Sequence, residues 1–394
     1  MKKQKLPQFI PFLTLALVQA LFLGLTFLAG YYTRAFTFER APLPGVQASY
    51  PLLDEARALL AAHYINPLPD DQALEYGAVR GLVSAVGDQY TVFIEPPTHE
   101  LETQTLQGEY GGIGVSITKN QTGEIILSPF PDSPASQAGL VEGDVLLRVD
   151  ATTVDATTNI DSATALLRGL VGSTVTVRVR HPAGGEFSAT LIRQNIPLPT
   201  VTGKLVPEQP ALGLIAVNLF SGKTPDEVKR ALGDLQAKGA TQFILDLRNN
   251  GGGILESAVE VAAQFLDGGV VMYETQRNAP EKTYTAPGAG ALSAAPLVVL
   301  VNHNTASAAE IVAGALLDRQ RAPLIGQTTY GKGSVQLVFD LTDGSSVHVT
   351  SFLWYTPARR ALDKVGLAPT IAVEPASDGS DAELAKAIEY LLAH

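Results

Sequence analysis

Pro296-Leu297-Val298-Val299-Leu300-Val301, followed after two residues by Asn304-Thr305-Ala306-Ser307-Ala308-Ala309-Glu310, is the stretch from which the fold of this chain is read. The first run is short and apolar throughout, as a strand buried on both faces is. From 308 to 317 the sequence becomes Ala-rich and helical, and Glu310 falls in the first turn, where an acid favours the helix dipole. Ser307 therefore stands where a buried strand turns into a helix. Backbone N–H groups at such a point have no partner within the helix, so a hydroxyl there lies beside donors that can hold an oxyanion. Acyl transfer needs that combination. The plainer alternative is a serine that only caps the helix.

The same alternation extends on both sides. Upstream, 212–220 is an apolar strand, and Thr224-Pro225-Asp226-Glu227 has the form of a capping box with Pro at the first helical position, opening a helix to about 238. Phe243-Ile244-Leu245-Asp246-Leu247 reads as a buried strand, and Arg248-Asn249-Asn250-Gly251-Gly252-Gly253 as a turn into a helix over 254–266. Downstream, 288–296 is a loop of small residues and Leu324-Ile325-Gly326 a short strand. Residues 335–341 and 346–352 alternate as a hairpin about Thr342-Asp343-Gly344, and 381–392 is a last helix. Strands separated by helices imply an α/β layer with crossovers.

A nucleophilic serine needs a base. No G-x-S-x-G elbow is present. His303 lies on the turn before Ser307 and is the weaker candidate. Lys332, between Gly331 and Gly333, is the stronger one, because an amine desolvated in such a site loses basicity and can accept a proton. Gly326 to Lys332 also reads G-x-x-x-x-G-K, the opening of a phosphate loop. Gly333 follows in place of Ser or Thr, and then an alternating strand in place of a helix, so that reading fails.

Toward the N-terminus the composition changes. Residues 108–195 are rich in Gly, Val, Ile and Thr. They hold Gly111-Gly112-Ile113-Gly114-Val115, Pro134-Ala135-Ser136-Gln137-Ala138-Gly139-Leu140, Glu142-Gly143-Asp144-Val145 and the alternating strand 174–180. This succession resembles a PDZ domain, in which a glycine-apolar loop holds a ligand's terminal carboxylate and the ligand adds as a strand. The matching loop is Gly112, Ile113, Gly114 and Val115. Arg168, at the end of a short helix, is a candidate partner for a carboxylate with a regulatory role. Residues 51–100 read as amphipathic helices and 35–50 as a linker. Residues 6–33 are uncharged and apolar between Lys5 and Arg34, long enough for a membrane anchor whose N-terminal side stays in the cytoplasm; a cleaved signal peptide is the competing reading.

Composition excludes several classes. The chain has 394 residues, room for two or three domains, with a net charge of −11 and 17% charged residues. An acidic chain whose Lys cluster is confined to the extreme N-terminus does not suit nucleic acid. With no cysteine there is no thiol catalysis, no disulfide and no thiolate-held metal. The six His, at 63, 99, 181, 303, 348 and 394, include no pair with short metal-ligand spacing, so no metal site and no cofactor are expected.

Asn302-x-x-Thr305-Ala306-Ser307-Ala308-Ala309-Glu310, then Thr329-Tyr330-Gly331-Lys332-Gly333-x-Val335-Gln336, with Leu245-Asp246-Leu247-Arg248 and its glycines upstream, resemble the carboxyl-terminal processing, or tail-specific, serine peptidases. The resemblance implies Ser307 as nucleophile, Lys332 as base and Gln336 as the residue that orients the lysine. It implies oxyanion donors at the backbone of Ala308 and of Gly251 or Gly252. It also implies a PDZ domain joined to a crotonase-like α/β core, and protein or peptide substrates captured by their C-termini. Two positions depart from the family pattern: Arg359 replaces a glycine and Thr370 an acid.

The expectation is a multi-domain α/β protein. Its parts are an anchor (1–34), a linker (35–50), a helical segment (51–100), a PDZ domain (101–195) and a peptidase core (196–394). It would act as a membrane-anchored, single-pass serine endopeptidase on the extracytoplasmic side, with room for a homo-oligomer. The alternative is a catalytically silent PDZ adaptor that binds protein C-termini.

Overall fold

The computed structural model describes residues 50–288, 290–376 and 379–393. The expected anchor, 1–34, lies outside the described residues, and among those described no helix is long and apolar enough to cross a membrane. The chain divides into two units, Met1–Ala73 and Leu74–His394. The first contains α1 (Pro51–His63) and the start of α2 (Asp71–Ser84). Within it Arg57 pairs with Asp71 at 2.7 Å, an exposed ion pair that contributes little stability.

The second unit takes up the rest of α2, then β1 (Val92–Ile94) and α3 (Pro96–Leu106), so the helical segment runs past residue 100 and includes a strand. Next come β2 (Glu109–Gly112), β3 (Val115–Lys119), β4 (Ile125–Pro129), α4 (Pro134–Gln137), β5 (Asp144–Val149) and β6 (Thr152–Thr153). Helix α5 (Ile160–Leu167), β7 (Thr174–Arg180), β8 (Glu186–Ile192) and β9 (Gln194–Pro197) complete this region. Its sheet has the order β3-β4-β5-β7-β8, which leaves β3 at an edge beside α5. Strand β7 alternates buried and exposed, and Val175, Val177 and Val179 face a core that includes Ile113, Leu127, Leu146 and Leu167. Strands β2 and β9 form a separate two-stranded ribbon through which the chain enters and leaves this domain.

The remainder is built on one parallel sheet. Strands β10 (Val201–Val206), β11 (Gln209–Val217), β12 (Gln242–Asp246), β15 (Leu297–Val301), β16 (Leu324–Gly326) and β19 (Ile371–Ala372) lie in that order, with only the β10–β11 pair antiparallel. Strand β15 is buried at all five positions. Its odd positions, with Ile215 and Leu245, face α6 (Thr224–Ala237), α7 (Leu255–Ala263) and α8 (Ala308–Asp318). Val298 and Leu300, with Leu214 and Ile244, face α9 (Ala382–Ala393) through Ala387 and Leu391. Burial on both faces is why these strands read as unbroken apolar runs. Removing a ring such as Phe243, 1% exposed, to Ala costs about 3–5 kcal/mol at a site of this kind.

A second sheet lies in the order β1-β18-β13-β14, from β13 (Gly269–Gln276), β14 (Lys282–Ala286) and β18 (Ser346–Tyr355), with β17 (Ser334–Asp340) also paired to β18. The β17–β18 hairpin matches the sequence expectation; the β13–β14 hairpin was not marked by periodicity. The capping box expected at Thr224 does not form. Thr224 is already helical, its hydroxyl accepts from Ser221 N–H, and Glu227 accepts the N–H groups of Thr200 and Val201. Tertiary partners displace the local cap.

Candidate active site

The turns at the C-terminal ends of β12 and β15 meet, as ligand sites in parallel α/β sheets do. Asn250 is fully buried, donates to Val217 O and accepts from Gly252 N–H at 2.8 Å, which shapes the glycine turn. Its carbonyl accepts from Ala306 N–H, tying that turn to the residue before Ser307. Asn249 Oδ1 accepts from the side chains of Asn302 and Asn304. Arg248 pairs with Asp246, Asp381 and Glu383, fastening the start of α9 to the same corner.

Ser307 precedes α8 with φ 54° and ψ −118°, a conformation costing of order 1–3 kcal/mol that surrounding contacts must hold. Gly252 approaches it so closely that a Cβ there would lie 2.8 Å from Ser307 Cβ. The N–H of Ser307 donates to Glu310 Oε2 at 2.9 Å. Glu310 is completely buried and accepts three more bonds, from Lys332 N–H, Gly331 N–H and the Thr329 hydroxyl. Four donors fill the lone-pair sites of one carboxylate. One side chain thus fixes the backbones that carry both Ser307 and Lys332. Trp354 Nε1 holds Lys332 from the other side through its carbonyl, at 3.0 Å.

Ser307 and Lys332 line one cleft of about 490 Å³, with Ala308, Gly251, Gln336 and apolar Leu106, Ile254, Ile311, Val335, Leu337 and Phe352. Glu274, Tyr284 and Lys282 form a hydrogen-bonded chain in its wall. Among the described residues the N–H groups of Ala308 and Gly251 have no acceptor, whereas that of Gly252 is taken by Asn250. Of the two glycines offered by the sequence, Gly251 has the available donor, and Gly252 provides the close approach.

No hydrogen bond joins Ser307 to Lys332. The Lys332 ammonium sits 4.8 Å from the centre of the Tyr90 ring. Burial pushes Lys332 below the ordinary value of 10.5, and the Asp88 carboxylate pulls the other way. Burial and the adjacent Tyr330 push the Tyr90 phenol up to about 12, so Lys332 faces a neutral ring. Gln336 directs its amide nitrogen to Ser334 and Thr350, not to Lys332. His303 is exposed, with Nδ1 3.2 Å from Gln327 Oε1, and is absent from the cleft. From the sequence Glu310 is expected only to favour the helix dipole, and Asp88 and Tyr90 have no expected role. Only Glu310 carried a signal, the S-x-x-E spacing.

The second candidate site is a groove of about 260 Å³ between β3 and α5, lined by Gly112, Ile113, Gly114, Val115, Ile117, Phe130, Leu167 and Arg168. Gly114 has φ 73°, and a Cβ there would lie 2.4 Å from Ser133 Cβ. Arg168 stacks on Tyr110 at 4.2 Å, at the end of the groove. The two departures from the family pattern lie elsewhere. Arg359 takes φ 60°, pairs with Glu281 and stacks on Tyr273; Thr370 Oγ1 accepts from Leu324 N–H.

Two described families match the chain: a PDZ domain over residues 111–188 and peptidase family S41 over 211–373. A carboxyl-terminal-processing protease of Synechocystis is 36% identical over 80% of this chain and 75% of its own length. The carboxy-terminal processing protease CtpA of Bacillus subtilis is 32% identical, over 82% and 68%. A solved structure from Bacteroides fragilis, described as an S41 protease, is similar in fold, with a TM-score of 0.51, 17% identity and coverage of 90% of this chain and all of that one.

Proposed function

The chain belongs to peptidase family S41, the serine-type peptidases that include the carboxyl-terminal-processing proteases, and from that premise we propose that it cleaves proteins near their C-termini with a Ser307–Lys332 pair. The observation that carries this reading is the cleft shared by Ser307, a desolvated Lys332 and the unclaimed N–H groups of Ala308 and Gly251. Ser307 Oγ attacks the peptide carbonyl while neutral Lys332 takes its proton. The two N–H groups receive the oxyanion. The leaving amine takes the proton from Lys332; water, deprotonated by the again-neutral Lys332, then attacks the acyl carbonyl, and Lys332 returns that proton to Ser307 Oγ as the acyl group leaves. Lys332 must first leave Tyr90. Gln336 orients it only after exchanging a partner.

The open edge of β3 supports capture of the substrate's tail as an added strand, its carboxylate on the Gly112–Val115 loop. Arg168 controls the end of that groove. The uncharged run 6–33 supports a single-pass anchor with the catalytic part outside the cytoplasm; recovery of the intact chain in a salt-washed membrane fraction checks this, and release by salt sinks it.

The deciding experiment incubates the full chain with an unfolded protein ending in apolar residues. Cleavage in the parent, reduced about a thousandfold or more in both Ser307→Ala and Lys332→Ala, is the expected result. Survival of activity in Lys332→Ala removes the lysine from its role. Tail binding without cleavage in the parent supports the adaptor reading, which the Lys332 ammonium resting over Tyr90 favours.

A further inference from the structure

Apart from the cleft, the second unit gathers His99, Glu102 and His348, whose ligand atoms all lie within 4.8 Å of one another. His99 and Glu102 are three apart on α3 and so share a helix face. His348 comes from β18, far away in sequence, which is why no short His–His spacing announced the group. His348 Nε2 is 3.6 Å from Glu102 Oε2, and it is buried with no hydrogen-bond partner among the described residues. A buried ring nitrogen left without a partner is costly unless something coordinates it. Asp340, on β17, lies 2.9 Å from His99 Nε2 and fixes that ring.

We propose that His99, Glu102 and His348 form a binding site for a divalent transition metal of the zinc class. Two imidazoles and one carboxylate are a zinc donor set, with a fourth position for water. Tetrahedral N/O ligands at roughly 2.0–2.2 Å from the metal stand about 3.3–3.6 Å apart, so the Glu102–His348 pair is already in place and His99 has about an ångström to close. Asp340 is the carboxylate that orients His99 from behind, leaving its Nδ1 for the metal. The set lacks the six to eight oxygens that calcium takes. Bound metal would staple α3 to the β17–β18 hairpin. Leu106 at the end of α3, and Val335 and Leu337 on β17, form walls of the cleft, so the staple fixes the distance across it.

The test uses the untagged full chain, stripped with a chelator and titrated with Zn²⁺ by calorimetry and with Co²⁺ by visible absorption. One equivalent, the absorption of a four-coordinate Co²⁺ and a rise of a few degrees in Tm with Zn²⁺ are expected. His99→Ala and His348→Ala should lose the site, and Asp340→Asn should bind 10–100-fold more weakly. Where an alanine variant melts early without metal, His348→Gln serves in its place. Affinity no tighter than millimolar in the parent overturns the site. So does binding that all these variants retain, since it would then belong to other histidines.

Discussion

Glu310 shows how much of an active site can rest on one side chain. Its two oxygens accept from the backbones of Ser307, Gly331 and Lys332 and from the Thr329 hydroxyl, with no exposure to water. In Glu310→Gln one oxygen becomes an NH₂ that faces N–H donors. Leaving those donors unpaired should cost roughly 2–4 kcal/mol, read in denaturant unfolding. It should also cost about a hundredfold in kcat, because both reacting groups shift. A drop in stability with unchanged kcat would deny Glu310 its positioning role. Asp88 tests the base. Burial lowers the Lys332 pKa and Asp88 raises it. In the proposed mechanism Lys332 acts as the neutral amine, so the rate should rise with pH through its pKa. Removing the carboxylate in Asp88→Asn should move that rise to lower pH. A pH–rate profile that stays put, or moves upward, contradicts the assignment of Lys332.

The strand–turn–helix unit that delivers Ser307 was legible because β15 is buried on both faces and the Ala-rich α8 follows after the short turn 302–307. The glycine turn after β12 was legible too, but not the division of labour within it. That depends on Asn250 claiming Gly252 N–H, a contact no periodicity encodes. The β13–β14 hairpin lacks a periodic signal because β13 runs Val270-Val271-Met272-Tyr273 without alternation and β14 is mostly exposed polar, as at Lys282 and Thr283; it gains its place by pairing Tyr273 to Gln276 with β18. The Thr224 capping box was misread because Glu227 is held by Thr200 and Val201. The glycine turn also makes a prediction for this unit. Gly252→Ala forces a side chain into φ 111° and toward Ser307 Cβ. It should abolish cleavage while Gly251→Ala, whose Cβ meets nothing within 4 Å, keeps most of it. Equal activity in the two variants would contradict the account of the turn.

At the scale of the molecule, the groove proposed for capture and the cleft proposed for cleavage have no lining residue in common within the second unit. Arg168→Ala frees the Tyr110 end of the groove. It should change the KM for a tailed substrate several-fold and leave the cleavage of a tail-less peptide unaltered, measured by steady-state kinetics. The two-stranded ribbon has a further consequence. Gly108 O accepts from Leu198 N–H at 2.9 Å, so the peptidase chain leaves and resumes at nearly one point. To the core, the PDZ domain is a loop whose ends are already closed. If it unfolds, the core must hold together a flexible loop of about ninety residues, an entropic cost of roughly 4 kcal/mol from the logarithmic length term alone. A PDZ domain destabilised at Val177, which is buried in its core and does not line the cleft, should therefore lower the melting temperature of the peptidase as well. Calorimetry would show this as the core transition following the PDZ transition downward, and a core transition that stays fixed would mean the loop is closed by something other than the folded domain.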